Sequence, residues 1–154
     1  MEENLSWTET GSIDMVNCVF CEIVKGSTPS HVLYQDDDFI AILDKYPIAF
    51  GHTLVMPKKH FERVNDLSIN DFGALYARVY AINRLIVSRM NASASHISIN
   101  DGAAANQLIP HVHVHIIPRS PNDSAGFTAR KLLKADEMDA ICKKLRVSNL
   151  SGDV

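Results

Sequence analysis

The sequence predicts an α+β fold: an antiparallel sheet of about five strands, one long helix packed on it, and a short C-terminal helix. Three observations predict it. Short runs rich in apolar and β-branched residues recur at 32–35, 39–43, 52–57, 96–100 and 111–118, divided by polar or proline-bearing turns. One long stretch places Phe72, Leu75, Tyr76, Val79, Ile82, Ile86 and Met90 at helical spacing. The last apolar run, His111-Val112-His113-Val114-His115-Ile116-Ile117-Pro118, alternates histidine with a β-branched residue at a period of two.

Size and charge narrow the class. The chain has 154 residues, 46% hydrophobic and 21% charged, which suits one compact domain with short tails. Acidic residues number 18 and basic ones 15, a formal net charge of -3. That balance argues against a nucleic-acid polymer as the main partner, because backbone binding wants a basic footprint. A small phosphate ligand needs none. No apolar run is long enough for a membrane span, and the acidic start Met1-Glu2-Glu3-Asn4 lacks the order of a signal peptide. Three cysteines do not make a disulfide framework, so a reducing, cytoplasmic setting is expected.

In order, residues 1–17 read as a flexible polar leader, with Trp7 as its one large aromatic. Cys18-Val19-Phe20-Cys21 follows, a spacing that serves either a metal site or plain buried thiols. Thr28-Pro29 marks a turn. Val32–Gln35 and Phe39–Leu43 read as a hairpin joined by Asp36-Asp37-Asp38, a solvated turn rather than a calcium loop, whose other ligands and glycine are missing. His52 to Pro57 is a third strand closed by proline. Ser68-Ile69-Asn70-Asp71 reads as the capped start of the long helix, which runs to Asn91. Its apolar stripe is broad enough to face a sheet on one side and a partner subunit on the other. His96 to Asn100 alternates as a fourth strand, and the histidine-rich run is the fifth. Pro110 cannot donate to a ladder, so that strand should start there or lie at an edge. Arg119 to Arg130, with Pro121 and Gly126, is loop-like. Asp136 caps a last helix carrying Met138, Ile141, Cys142 and Leu145, and the tail from Ser148 is frayed. The domain is thus expected over 18–147, between a leader at 1–17 and a tail at 148–154.

On a strand, side chains two residues apart share a face and stand about 6.7 Å apart. His111, His113 and His115 therefore line one face, with Val112, Val114 and Ile116 on the other. Three imidazoles side by side suit a surface that handles protons, a metal or an anion near neutral pH. A neutral imidazole can attack phosphorus when its second nitrogen keeps its proton on a fixed acceptor. Flanking histidines can donate to phosphoryl oxygens where charge develops. A different reading has His111 and His113 share a catalytic zinc.

The pattern His-φ-His-φ-His-φ-φ, with φ apolar, resembles the signature of the histidine triad (HIT) family of nucleotide hydrolases and transferases. Gly51-His52-Thr53-Leu54-Val55-Met56-Pro57-Lys58-Lys59-His60 resembles a second block recurrent in that family. Together the matching blocks run from Cys18 to Arg119, and the likeness is to zinc-containing bacterial and archaeal-type members of the HINT branch. The resemblance implies a HIT-like fold and a twofold homodimer through the long helix and an adjacent strand. It implies that His113 is the nucleophile, that His115 contacts the phosphate, and that His52 belongs to the same hydrogen-bond network. Asn100 and Gln107 match amides on the phosphate side, and Asp44 matches the acid that holds the ribose hydroxyls. Val19, Phe20 and Ile42 match apolar walls around the base. Cys18, Cys21, His60 and His111 match the ligands of a structural zinc, and two thiolates with two imidazoles suit a closed tetrahedral site.

The implied function is a nucleotide hydrolase that releases a nucleoside monophosphate such as AMP from a nucleoside phosphoramidate or a dinucleoside polyphosphate, through a nucleotidyl-histidine on His113. Two features depart from or refine the pattern. The loop before the triad reads Asn106-Gln107-Leu108, where the family often has Gly-Gln-Ser, so a hydroxyl near the leaving group is missing. That keeps open a slow nucleotide-binding or scaffolding protein of the same fold. The third triad position is histidine, where the transferase branch carries glutamine, which favours hydrolysis.

Overall fold

A computed structural model of the protein describes residues 18–123, 130 and 132–150. The expected leader, Trp7 and Gly126 lie outside these. Strands β1 (Val32–Gln35), β2 (Phe39–Leu43), β3 (Thr53–Pro57), β4 (Ala94–Ile99) and β5 (Val114–Arg119) form one sheet. Their order is β1-β2-β3-β5-β4, and every adjacent pair is antiparallel. The helices are α1 (Val19–Val24), α2 (Ile69–Arg89) and α3 (Ala135–Leu145). The α+β layout with a five-stranded antiparallel sheet is as the sequence predicts.

The period-two pattern assigns each face its own core. Phe39, Ala41 and Leu43 of β2, Val55 of β3, and Val114 and Ile116 of β5 point to one side. There they pack against Leu75, Val79, Ile82 and Ile86 of α2 and Met138, Cys142 and Leu145 of α3. On the opposite side Ile40 and Ile42 of β2 and Leu54 and Met56 of β3 pack under Cys18, Phe20 and Cys21. The histidines project to this second face, away from the long helix. The helix starts where Ser68 caps it: the Ser68 hydroxyl oxygen accepts from the Asp71 N–H at 3.0 Å. Its outer surface leaves Tyr80 exposed.

Several expectations are corrected. The CxxC stretch is helical: α1 starts directly after Cys18 and carries Cys21 inside it. Six residues without a periodic stripe give no helical signal. The ladder of β5 begins at Val114, so His111 to His113 lie outside it. Pro110 cannot donate, and the Val112 N–H instead finds the Phe61 carbonyl at 2.7 Å. The fourth strand begins at Ala94, and β5 extends through Arg119, where Ser93 N–H meets the Arg119 carbonyl at 2.9 Å. Asp36 is more than a solvated turn residue. Its Oδ1 accepts the Asp38 and Phe39 N–H groups, and its Oδ2 takes Tyr34 hydroxyl and Arg78 Nε, tying the hairpin to α2. Lys134, not Asp136, is the N-cap of α3, and Glu137 accepts its backbone N–H at 2.8 Å. Past α3, Val147 N–H bonds the Leu33 carbonyl and Leu150 packs on the core, so the start of the tail is docked.

Candidate functional site

Strand register builds the site. Leu43 pairs with Thr53, and Leu54 pairs with both Ile42 and His115. One step beyond the ladder, the Asp44 N–H donates to the His52 carbonyl at 2.9 Å. Asp44, His52 and His115 thus converge at one end of the sheet, all buried. His113 is buried beside them, its ring 5.0 Å from that of His115.

Hydrogen bonds fix the tautomers. The Ile48 N–H donates to His52 Nδ1 at 3.0 Å, so the His52 proton sits on Nε2. That Nε2–H donates to His115 Nδ1 at 2.9 Å. His115 must then carry its own proton on Nε2. His113 Nδ1–H donates to the His111 carbonyl at 2.6 Å, which leaves the His113 Nε2 lone pair unprotonated. Burial keeps the rings neutral: it lowers His52 to about 4 and His115 to about 3, and lowers His113 despite the His111 carbonyl and Asp44 nearby. The arrangement offers a nucleophilic nitrogen on His113 beside an N–H donor on His115.

Asp44 is held from both oxygens. The Tyr46 N–H donates to Oδ1 at 2.9 Å, Arg130 Nη1 donates to Oδ2 at 2.8 Å, and His52 Nε2 lies 3.5 Å from Oδ2. Arg130 is a site residue the sequence did not reveal. It stands 86 positions from Asp44 in a stretch without periodicity or motif. Asp44, His52 and His115 also lie close enough together to share a metal ion. In this arrangement His52 Nε2–H is directed at His115 Nδ1, and the Ile48 N–H holds the His52 proton on Nε2.

A second cluster lies on the same face. One ligand atom each from Cys18, Cys21, His60 and His111 fall within 4.8 Å of one another. His111 Nε2–H donates to the Pro57 carbonyl at 2.8 Å, which turns the Nδ1 lone pair toward the sulfurs. Nδ1 is 3.4 Å from Cys18 Sγ and 3.6 Å from Cys21 Sγ, and His60 Nδ1 is 3.3 Å from Cys21 Sγ. A tetrahedral zinc with ordinary Zn–S and Zn–N bonds sets nitrogen and sulfur about 3.5 Å apart, so the residues fit the ion. Burial lowers His111 to about 4 and, with Cys18 alongside, raises the Cys21 thiol to about 11. A divalent cation reverses that preference, because thiolate is the form it binds. His113 is not among these four side chains, and its Nδ1–H is turned to the His111 carbonyl.

The remaining expected residues divide. Phe20 is buried with its ring edge-on to His113 at 5.0 Å, and Ile42 lies in the same apolar cluster, whereas Val19 is exposed. Gln107 and Asn100 are occupied by backbone groups of their own loop and of the segment at Glu62. Gln107 Oε1 accepts from the Gly102 N–H at 2.6 Å and its Nε2 donates to the Glu62 carbonyl at 2.8 Å. Asn100 Nδ2 donates to the Ala105 carbonyl. Here they shape the loop of residues 100–107. Leu108, at the position of the family's serine, is 83% exposed.

An α+β sheet presenting three buried histidines in alternation, with a two-cysteine, two-histidine cluster on the same face, defines the class. Residues 25–122 match the HIT domain family model, and the chain belongs to the HIT family. It is 38% identical over 124 residues to the protein named adenylylsulfatase HINT3 of Arabidopsis thaliana, covering 79% of this chain and 63% of that protein. The chain thus spans less than two thirds of the plant relative. It is 37% identical over 121 residues to Protein hit of Bacillus subtilis, covering 79% of this chain and 83% of that protein. Among solved structures it resembles a hypothetical histidine triad nucleotide-binding protein from Sulfolobus tokodaii, with TM-score 0.76 and 35% identity over 84% of this chain and 89% of that one. It also resembles a zinc-bound histidine triad family protein from Mycobacterium smegmatis, with TM-score 0.74 and 35% identity over 83% and 92%. Among the described residues no helix is long and apolar enough to cross a membrane.

Proposed function

We propose that the protein is a nucleotide hydrolase acting through a nucleotidyl-histidine on His113. The observation that carries this reading is the pair of fixed tautomers: His113 with a free Nε2 lone pair, and His115 with an Nε2–H beside it. In the first step His113 Nε2 attacks the phosphorus of a nucleoside 5′-phosphoryl group, and the bond to the leaving group breaks with its electron pair going to that group. His115 Nε2–H donates to the phosphoryl oxygen as negative charge grows there. In the second step water attacks the same phosphorus and the P–N bond breaks with its electron pair returning to His113 Nε2. The proton that water loses goes to solvent and replaces the one taken up by the leaving group, so neutral His113 and a nucleoside monophosphate remain.

The substrates proposed are an adenosine or guanosine phosphoramidate and a dinucleoside polyphosphate. The name of the plant relative adds an adenylyl sulfate. Phe20 and Ile42 form the base wall, Asp44 takes the ribose hydroxyls, and Cys18, Cys21, His60 and His111 hold a structural zinc that braces α1 against the histidine run. A zinc-bound relative supports that last assignment. We also infer a cytoplasmic homodimer whose working unit is residues 18–147, with neither nucleic acid nor membrane as partner. The exposed Leu108 favours one second reading, a nucleotide-binding scaffold with slow turnover. AMP release from adenosine 5′-phosphoramidate, from a diadenosine polyphosphate and from adenylyl sulfate, each with wild type and His113→Ala, separates the two. The hydrolase reading expects release by wild type alone. Binding of AMP with release no faster than the variant's leaves the scaffold.

A further inference from the structure

Arg130 returns to the histidine cluster from the far side of the chain. A single guanidinium nitrogen, Nη1, donates both to Asp44 Oδ2 at 2.8 Å and to the Tyr46 carbonyl at 2.7 Å. The Asp44 side chain is 10% exposed and that of Arg130 41%. A buried carboxylate left without its partner is strongly unfavourable. The rings beside it do not supply the balancing charge, since burial keeps His52 and His115 neutral. At both rings the Asp44 carboxylate favours the charged imidazolium and the Arg130 guanidinium opposes it.

The nucleotide of the proposed function is an anion. It would approach a buried carboxylate, and among the described residues the guanidinium of Arg130 is the cation that pairs with that carboxylate. We propose that Arg130 is a specificity-determining residue of this site: by neutralising Asp44 it allows a phosphorylated nucleoside to bind where a bare buried carboxylate would repel it. The inference rests on the nucleotide reading and adds a residue that neither the triad nor the metal cluster contains. Two like charges roughly 8 Å apart, at the effective dielectric found near protein surfaces, repel by enough to weaken binding about 30-fold.

The test is calorimetric titration of the full chain at pH 7.5 and low ionic strength, with AMP as the charged probe and adenosine as the uncharged one. Arg130→Ala is expected to weaken AMP about 30-fold and adenosine less than about 3-fold. Arg130→Lys, which keeps the charge but loses the planar fork, is expected to stay within about 5-fold of wild type for AMP. The double variant Asp44→Asn/Arg130→Ala is expected to bind AMP at least about 10-fold more tightly than Arg130→Ala, because no bare carboxylate remains. Equal weakening of AMP and adenosine, or a double variant no tighter than Arg130→Ala, overturns the proposal. If Arg130→Ala does not fold, the ratio of AMP to adenosine affinity decides: it must stay within about 5-fold of wild type in Arg130→Lys and in the double variant, whose net charges match wild type, and a larger fall in either sinks the charge argument. Wild type that binds no AMP defeats the nucleotide reading and this inference with it. Losses restricted to variants bear on Arg130 alone.

Discussion

His52 Nε2 lies 2.9 Å from His115 Nδ1, and the Ile48 N–H occupies the other nitrogen of His52. The direction of hydrogen bonding across the two rings is therefore set by a backbone amide. A main-chain group of the loop after β2 decides which nitrogen of His115 presents a proton to the site.

His52 should accordingly act on turnover more than on binding. His52→Leu removes the donor that keeps His115 in its productive tautomer, and kcat is expected to fall about 100-fold while KM changes less than about 3-fold. Steady-state kinetics with adenosine 5′-phosphoramidate check this. An unchanged kcat would show that the pair is only structural.

The same buried rings link stability to pH. His52 titrates near 4 and His115 near 3 in the fold, against an ordinary 6.5 that the unfolded chain recovers. Between those values the unfolded chain binds protons that the folded one does not, so stability rises with pH there. Their contribution is fully present above about 6.5 and is lost as pH falls toward 4, at up to about 1.4 kcal/mol per pH unit for each ring. Urea unfolding at pH 7, 6 and 5 measures the slope. His115→Gln should flatten it, and an equal slope in that variant contradicts the assignment.

The cysteine cluster should show itself by metal content rather than by chemistry. Purified wild type is expected to carry about one zinc per chain, and Cys18→Ser far less, by elemental analysis. With free zinc 1,000-fold above its dissociation constant, stripping the ion lowers stability by about 4 kcal/mol, read as a lower Tm. Brief chelation should leave activity intact at temperatures where the fold holds. Immediate loss of activity on chelation, before any unfolding, would point to a catalytic metal.

Leu108 tests the missing hydroxyl. At 83% exposure, Leu108→Ser should change stability by less than about 0.5 kcal/mol. It is expected to raise kcat for the phosphoramidate by restoring a donor near the leaving group, which single-turnover kinetics would detect. No gain in rate would mean that the loop of residues 100–107, closed on itself by Gln107 and Asn100, keeps that position away from the reacting group.

Much of this architecture is written in local periodicity. Phe39, Ala41 and Leu43 against Ile40 and Ile42, and Val114 and Ile116 against His113 and His115, assign both faces of the sheet before any contact is known. The Ser68 cap and the stripe of Leu75, Val79, Ile82 and Ile86 mark α2 equally well. What escaped has no local signature. The helix over Val19–Val24 is too short for a stripe, and His111 to His113 leave the ladder because Pro110 and the Phe61 carbonyl redirect the backbone. The site divides the same way. The histidines and cysteines announce themselves by spacing, whereas Arg130 depends on a contact closed across 86 residues, which no residue pattern encodes.

The central claim is a covalent bond at His113, and intact-protein mass spectrometry of the enzyme mixed with adenosine 5′-phosphoramidate, kept at neutral pH and sampled within the first turnover, tests it most directly. The account predicts a transient gain of one adenylyl group in wild type, absent in His113→Ala and decaying as AMP appears. Rapid AMP release with no adduct at any time, or an adduct that persists in His113→Ala, would contradict it.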